Sequence, residues 1–265
     1  MTILSAYLNG IGLLAPGMPG WQQSRRILAE RQNFLSSPVT LPAPDLLPAA
    51  ERRRSSVIVK LTLAVGLEAA NSAGIDPAAL PCVYVSSGGD SYNCHEICQT
   101  LASDDRHISP TRFHNSVHNA APGYWGIATG AMTPISVLAA ADASFGAGLL
   151  ELLAAVAANR TGTLLIACDT PYPEPLHSVR PMPDMFGVAL VATPEPNEHS
   201  IAQIRVELTR ADADTIADSG LEALRLSIPA ARSLPLLQAL AQAQPARVIL
   251  DYLDQTRIAV ELIPC

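Results

Sequence analysis

The sequence predicts an α/β layer fold with a mixed, mainly parallel sheet and helices on both faces. Short apolar runs, typical of buried strands, alternate with longer segments whose apolar residues recur at helical spacing. The last two apolar runs are joined only by Asp254–Thr256, so they must be antiparallel and the sheet must be mixed. The chain has 265 residues, 49% of them hydrophobic, and is therefore long enough to bury a core without cross-links.

Each element follows from its residue pattern. Strand runs are apolar and end at Gly, Pro, Ser or Asp, whereas helical runs repeat every three to four residues. The helix that ends at Gly74 shows a typical stop signal. In chain order the predictions are strand 2–16, helix 21–30, a Pro-rich connection 36–54, helix 55–74, strand 81–90 (broken by Ser-Ser-Gly-Gly), helix 92–103, loop 104–123, helix 124–130, strand 134–140, helix 145–160, strands 161–171, 186–193 and 200–208, helix 229–244, and two strands within 246–264.

Charge and composition exclude several classes of protein. A net charge of −7 argues against a nucleic-acid-binding surface, which needs clustered cations. The apolar run 135–158 contains Asp142 and Glu151, which are costly in a bilayer, so we expect a strand and a helix rather than a membrane span. Five cysteines form no even framework, and the N-terminus lacks a basic region before its apolar run. We therefore expect a cytoplasmic protein that needs no cofactor and no metal.

Two local motifs have simpler interpretations than ligand binding. The run Gly10–Gly17 lacks the spacing of a dinucleotide loop and reads as a strand-end turn. Cys94 and Cys98 lie one helical turn apart, but no second ligand pair accompanies them, so helix cysteines are favoured over zinc.

A dense polar cluster follows in Phe113–Asn119, which contains two His, two Asn and one Ser. Such residues commonly satisfy their own backbone in a loop, and that interpretation stays open. The alternative is a loop that lines a pocket or an interface.

The most informative stretch is the strand–turn–helix at 139–148, where Asp142 is the only charge among small residues. A helix N-terminus directs its amides and its positive dipole end at a side chain on such a turn. A cysteine there would have a lowered pKa and would be a nucleophile. An aspartate there is expected to be an ordinary helix N-cap, without covalent acyl chemistry.

The segment 135–171 resembles the active-site region of the β-ketoacyl-acyl carrier protein synthases, which have the thiolase fold. In that family an Ala-Cys-Ala-Ser turn carries the nucleophile, and here the turn reads Ala141-Asp142-Ala143-Ser144. The resemblance covers about residues 1–193 and is most specific at 113–170. It implies a single thiolase-like domain over 1–265, truncated relative to a full ketosynthase, in which 196–265 is a divergent C-terminal part.

The departures from that family point to a protein without catalysis. A complete synthase carries a pair of catalytic His after the nucleophile, but this chain has no His beyond His199, and His114 and His118 precede the turn. Both the nucleophile and the His pair are thus missing. The resemblance is to the chain length factors, and more narrowly to the short form of aryl polyene and xanthomonadin-type biosynthesis. It implies a heterodimer with a full-length synthase, whose acyl or polyene tunnel this chain would shape.

The resemblance also supplies candidate tunnel or interface residues. These are Phe113, His114, Asn115, Ser116, His118, Asn119, Trp125, Ser136 and Leu138, with core packing as the alternative for Asn119 and Trp125. The run Arg52, Arg53 and Arg54 is a possible docking site for an acidic carrier protein, or simply a solvated helix start.

Two other functions remain open on sequence alone. One is decarboxylation of malonyl-acyl carrier protein, which an anionic Asp142 would disfavour by repelling the malonate carboxylate. The other is a homodimer that binds an acyl chain without any synthase.

Overall fold

The computed structural model describes residues 3–265 and shows one eight-stranded sheet between two layers of helices. Thr2, the first residue of the first predicted strand, lies outside the described residues. The strands are β1 (Leu4–Leu14), β2 (Cys82–Val85), β3 (Ile135–Leu138), β4 (Thr163–Asp169), β5 (Phe186–Thr193), β6 (Ala202–Thr209), β7 (Ala246–Leu250) and β8 (Arg257–Pro264). Their order across the sheet is β3-β2-β4-β5-β1-β6-β8-β7. Strands from the divergent part 196–265 thus continue the same sheet.

The helices account for most of the predicted helical segments. They are α1 (Trp21–Leu28), α2 (Ala49–Arg54), α3 (Val57–Ser72), α4 (Ser91–Ala102), α5 (Pro110–His114), α6 (Ala120–Thr129), α7 (Ser144–Asn159), α8 (Leu176–Val179), α9 (Ser219–Ser227) and α10 (Leu234–Gln242), with short 3-10 turns at Pro77–Ala79, Ala141–Ala143 and Pro229–Ser233. Helices α3 and α6 pack on one face, and α1, α7, α9 and α10 on the other. The predicted mixed α/β fold with helices on both faces is confirmed.

The expectation of a mainly parallel sheet is wrong. Only the pairs β2/β3 and β2/β4 are parallel, and the other five pairs are antiparallel. Parallel neighbours require a long crossover connection. The one-turn helix α8 is the only helix between β4 and β5, and these two strands are antiparallel neighbours. Strand β1 inserts between β5 and β6 and runs antiparallel to both.

The glycines of the first strand are explained by packing. A Cβ atom on Gly12 would lie 1.9 Å from the carbonyl oxygen of Val65, and one on Gly10 would lie 2.0 Å from that of Ala69. Both partners belong to α3, so these glycines allow the helix backbone to approach the sheet closely. Gly10 and Gly12, which begin the run that superficially resembles a phosphate loop, therefore allow close packing between β1 and α3.

The long apolar stretch of the sequence forms a core helix. The helical segment Ala141–Asn159 is long and apolar enough to cross a membrane, with a mean hydropathy of 1.5. Half of its apolar stretch is nevertheless buried inside the protein. Phe145, Leu149, Leu152 and Leu153 pack against the sheet. These contacts match the strand-plus-helix interpretation of the sequence.

Candidate functional site

The candidate site is the turn between β3 and α7, where the sequence places Asp142. Ala141 has a φ of 48°, a left-handed conformation that is strained for a residue with a side chain. Ser144 closes the turn, because its Oγ donates to the Ala141 carbonyl at 2.8 Å and accepts from the Ala140 amide at 3.0 Å. The turn thus holds the side chain of residue 142 away from the body, with 59% of it exposed.

Asp142 is not the helix N-cap that the sequence analysis expects. No side chain caps α7, and the Asp142 carboxylate instead accepts a hydrogen bond from the Arg180 guanidinium. The internal bonds of Ser144 already close the turn, which leaves the carboxylate free to pair outward. An anion at position 142 is therefore neutralised by a cation from a distant loop.

The ion pair continues into a chain of polar contacts toward the core. The Arg180 guanidinium carbon lies 6.0 Å from the centroid of the Tyr172 ring, within range of a cation–π contact. The Tyr172 hydroxyl lies 3.1 Å from Ser87 Oγ, and Ser87 Oγ donates to Asp169 Oδ1 at 2.7 Å. These contacts join the turn to the ends of β2 and β4.

Asp169 is the buried end of this chain of contacts. Its Oδ1 accepts from the Ser87 amide at 2.7 Å and its Oδ2 from the Ala230 amide at 2.8 Å. Burial raises the pKa of this carboxyl, and the hydrogen bonds from Ser87 and Ala230 oppose that rise. Asp169 therefore fixes the Ser86–Gly89 loop and the 229–233 turn around the candidate site.

The predicted polar cluster divides into exposed and internal residues. Phe113 and His114 end α5 in solvent, and Asn119 is exposed just before α6. Asn115 is buried, donates to the Arg54 carbonyl at 3.2 Å and accepts from the Tyr124 hydroxyl at 3.2 Å. Its side chain thus ties three helices together instead of facing a partner.

Two more residues of the cluster, Ser116 and His118, are half-buried, and Trp125 beyond it is fully buried. Ser116 donates to the Phe113 carbonyl at 2.8 Å, as in the self-satisfying loop that the sequence leaves open. His118 is half-buried with its ring edge toward Tyr84, at 6.5 Å between ring centroids, and its Nε2 has no partner among the described residues. Trp125 is fully buried against α3, the position that its core-packing alternative describes.

The strand candidates lie at one edge of the sheet. Ser136 is exposed and Leu138 is half-buried, and both belong to β3, which pairs only with β2 among the described strands. In the segment before this strand, Phe113 is 67% exposed and Met132, three positions before β3, is 96% exposed. Val117 and Ile127 are also exposed. An open strand edge is typical of a surface that another chain covers.

Arg53 and Arg54 of the arginine run line a polar pocket of about 330 Å³, whereas Arg52 lies outside it and pairs with Asp45 at 3.2 Å. Arg53 and Arg54 from α2 face Arg112 from α5 across this pocket, and the buried side chain of Asn93 completes it. Arg54 pairs with Glu51 at 3.4 Å and Arg112 with Glu96 at 2.9 Å, whereas Arg53 makes no ion pair within residues 3–265. Asp90 also lines the pocket, and Arg53 is the one guanidinium there without an acidic partner among the described residues.

Sequence reasoning missed Arg180, Tyr172, Ser87 and Asp169. The sequence does contain a clue to Asp169, because an acidic residue at the end of the apolar run 163–169 is unusual. Nothing in the pattern around Arg180 links it to Asp142, because the contact depends on tertiary structure alone.

The turn between an edge strand and an apolar helix, on a mixed sheet covered on both faces, is the arrangement that the resemblance to the β-ketoacyl synthases implies. The chain belongs to the family described as "Beta-ketoacyl synthase, N-terminal domain", whose profile matches residues 21–247. No curated protein sequence matches the chain.

Solved structures share this fold at low sequence identity. One chain of the ketosynthase ApeO in complex with its chain length factor ApeC, from Xenorhabdus doucetiae, is 20% identical with a TM-score of 0.74, covering 97% of this chain and 99% of that one. A chain of the ishigamide ketosynthase/chain length factor is 13% identical with a TM-score of 0.70, covering 98% and 99%. The ketosynthase from module 1 of the bacillaene synthase of Bacillus amyloliquefaciens FZB42 is 14% identical with a TM-score of 0.58, covering 80% of this chain but only 47% of its own.

Proposed function

We propose that this chain is a non-catalytic chain length factor. It forms a heterodimer with a full-length β-ketoacyl-acyl carrier protein synthase and shapes the acyl or polyene tunnel of that synthase. The product would belong to aryl polyene-type polyketide or fatty acid biosynthesis, in the cytoplasm. The family membership and the likeness in fold and length to chains of ketosynthase/chain length factor complexes support this proposal.

The observation that carries the proposal is the difference between the two edges of the sheet. At the β7 edge, the Ile249 amide donates to Asp214 Oδ2 at 2.9 Å and the Ile249 carbonyl accepts from the Asp214 amide at 2.9 Å. The chain's own loop thus occupies the outward backbone groups of Ile249 at that edge. The β3 edge has no such cover within residues 3–265, and it is the edge that leads directly to Asp142.

The backbone of β3 offers hydrogen-bonding groups to a second chain. The carbonyls of Pro134 and Leu138 accept bonds from β2, so by the alternation of a strand the polar groups of Ile135 and Val137 point to the open edge. A strand of the synthase would pair there, and the exposed Phe113 and His114 are our candidates for contact with its tunnel.

The lack of catalysis follows from the chemistry of the turn. A carboxylate that is paired with Arg180 is a poor acyl acceptor, and this position carries the nucleophile in the synthases that the sequence resembles. The chain would thus contribute a surface to the complex and leave condensation to its partner.

Co-purification tests this function directly. We expect the tagged chain, produced in its native host, to retain a full-length ketosynthase that mass spectrometry identifies, at a ratio of one to one. Val137→Pro removes an amide from the open edge and should abolish retention, whereas Val137→Ala keeps that amide and should retain the partner. Circular dichroism shows whether each variant is folded. A wild-type chain that forms only homodimers, or retains no ketosynthase, contradicts the proposal.

The arginine pocket is our proposed docking site for an acyl carrier protein. Its three guanidinium groups are suited to a phosphate or to acidic side chains, because arginine binds such groups in a bidentate manner. Arg53→Glu together with Arg112→Glu should weaken binding of a carrier protein to the heterodimer at least fivefold in a titration at low salt. Arg210→Glu, also on an exposed surface, is the matched control. If the double variant and the Arg210→Glu control bind the carrier protein equally well, the proposed docking site is wrong.

A further inference from the structure

The loop between β4 and β5 carries exposed apolar residues on a short, stiff segment. Residues 171–183 contain five prolines, which restrict the backbone. Tyr172 packs against the core at one end and Met182 is buried at the other. Between them, Val179 is 79% exposed and Leu176 is exposed beside it on α8.

The 173–181 loop has one polar anchor to the rest of the chain. Ser178 bonds to Glu174 and the Arg180 amide to the Leu176 carbonyl, but both contacts are internal to the loop. Arg180 also lies over the ring of the adjacent Tyr172. Apart from that contact, the hydrogen bond from Arg180 to Asp142 is the only polar side-chain contact within residues 3–265 that joins this loop to the rest of the chain. The position of Leu176 and Val179 therefore depends on the residue at the turn.

We propose that Asp142 is a positioning residue, which anchors the 173–181 loop through Arg180 so that Leu176 and Val179 extend the partner-binding face begun by β3. This inference rests on the proposed function, because the occupant of the face is the full-length ketosynthase. Continuity supports that occupant: Asp142 follows the end of β3 by four positions and pairs with Arg180, so the loop is attached to the turn at the end of the open strand. Asp142 thus has a structural role, the anchoring of this loop, at the position where the related synthases carry their nucleophile.

The anchoring is tested on the isolated chain by hydrogen exchange with mass spectrometry. Asp142→Ala and Arg180→Gln should each speed amide exchange in 173–181 at least threefold, and Asp142→Glu should restore slow exchange. Glu195→Ala removes another exposed ion pair, that with Arg160, and should leave the loop unchanged. Exchange in 173–181 that is the same in Asp142→Ala as in wild type overturns the anchoring role.

The interface role is tested with the ketosynthase that co-purifies with the wild-type chain, produced separately. Val179→Ser should weaken its binding at least fivefold and Asp142→Ala at least twofold. Leu226→Ser, which alters an exposed leucine of α9, should bind as wild type does. Unchanged affinity of Val179→Ser overturns the inference and leaves the proposed function intact. A wild-type chain that binds no ketosynthase contradicts the proposed function, and the exchange measurement still decides the anchoring.

Discussion

The carboxylate of Asp169 accepts a hydrogen bond from the backbone amide of Ala230 at 2.8 Å, across 61 positions of sequence. Asp169 ends β4, and Ala230 lies in the 229–233 turn of the C-terminal part of the chain. The other carboxylate oxygen bonds to Ser87. One buried acid therefore fastens these segments together beside the candidate site.

We expect Asp169→Asn to lower the free energy of unfolding by about 1–3 kcal/mol at neutral pH, the usual cost of an unsatisfied buried polar group. Every partner of Asp169 is a donor, so the amide nitrogen of asparagine would face another donor. Urea unfolding measures the loss. Asp45→Asn, at an exposed pair with Arg52, is the control and should change stability by less than about 1 kcal/mol. Equal effects of the two would contradict the anchoring role of Asp169.

Gly12→Ala should destabilise the fold by at least about 1–3 kcal/mol, because its Cβ would overlap the Val65 carbonyl and force the helix from the sheet. Gly123→Ala is the matched control, since a Cβ there meets nothing within 4 Å and alanine favours a helix. Thermal unfolding of both variants gives the comparison. A neutral Gly12→Ala would show that close approach of α3 is not required.

Thiol titration of the native protein should detect three of the five cysteines, with Cys94 slower than Cys98 and Cys265 because partial burial and the nearby Asp90 raise the pKa of its thiol. Cys94, Cys98 and Cys265 are exposed, whereas Cys82 and Cys168 are buried. Burial raises the pKa of Cys82 to about 12 and raises that of Cys168 as well, so little thiolate forms at pH 8. Denaturation should then reveal all five. Rapid reaction of more than three thiols in the native state would be inconsistent with this packing.

Glu222→Gln should reduce stability at pH 7 by about 1 kcal/mol, and the difference should vanish in acid. Hydrogen bonds from Arg225 lower the pKa of the Glu222 carboxyl below its ordinary value of 4.5. A carboxyl with a lower pKa in the folded state adds stability above its unfolded pKa and loses it as pH falls through the folded value. Urea unfolding of both proteins between pH 7 and pH 3 checks this, with Glu207→Gln at an exposed pair as control. A difference that grows toward acid would contradict it.

Asp142→Cys should not confer condensation on the isolated chain. The turn would then carry a thiol near Arg180 and the start of α7, but no histidine follows His199 to complete a catalytic pair. Incubation with malonyl- and acyl-carrier protein, followed by mass spectrometry, should show no extended product for wild type or variant. Condensation by the wild type would mean that the chain is an enzyme, and condensation by the variant alone would mean that the nucleophile is all that it lacks. Release of carbon dioxide by wild type that Asp142→Ala abolishes would instead indicate a decarboxylase.

The sequence was most informative where a residue's pattern is local. The alternation of strands and helices, and the position of Asp142 at a strand–turn–helix, were both readable in this way. Helix α9 was missed although Asp218 caps it through Gly220 and Leu221, which is a recognisable start signal. Strand directions were mispredicted because no local pattern shows that β1 inserts between β5 and β6. The partner of Asp142 was equally invisible, since Arg180 meets it only after the chain has folded.

The loop at Asp214 has a consequence for the way in which the sheet can be extended. It occupies the outward backbone groups of Ile249 near the end of β7, so a strand from a neighbouring molecule cannot pair along the whole of that edge. The β3 edge carries no such obstacle within residues 3–265. Extension of the sheet by a second chain is therefore favoured at β3 over β7.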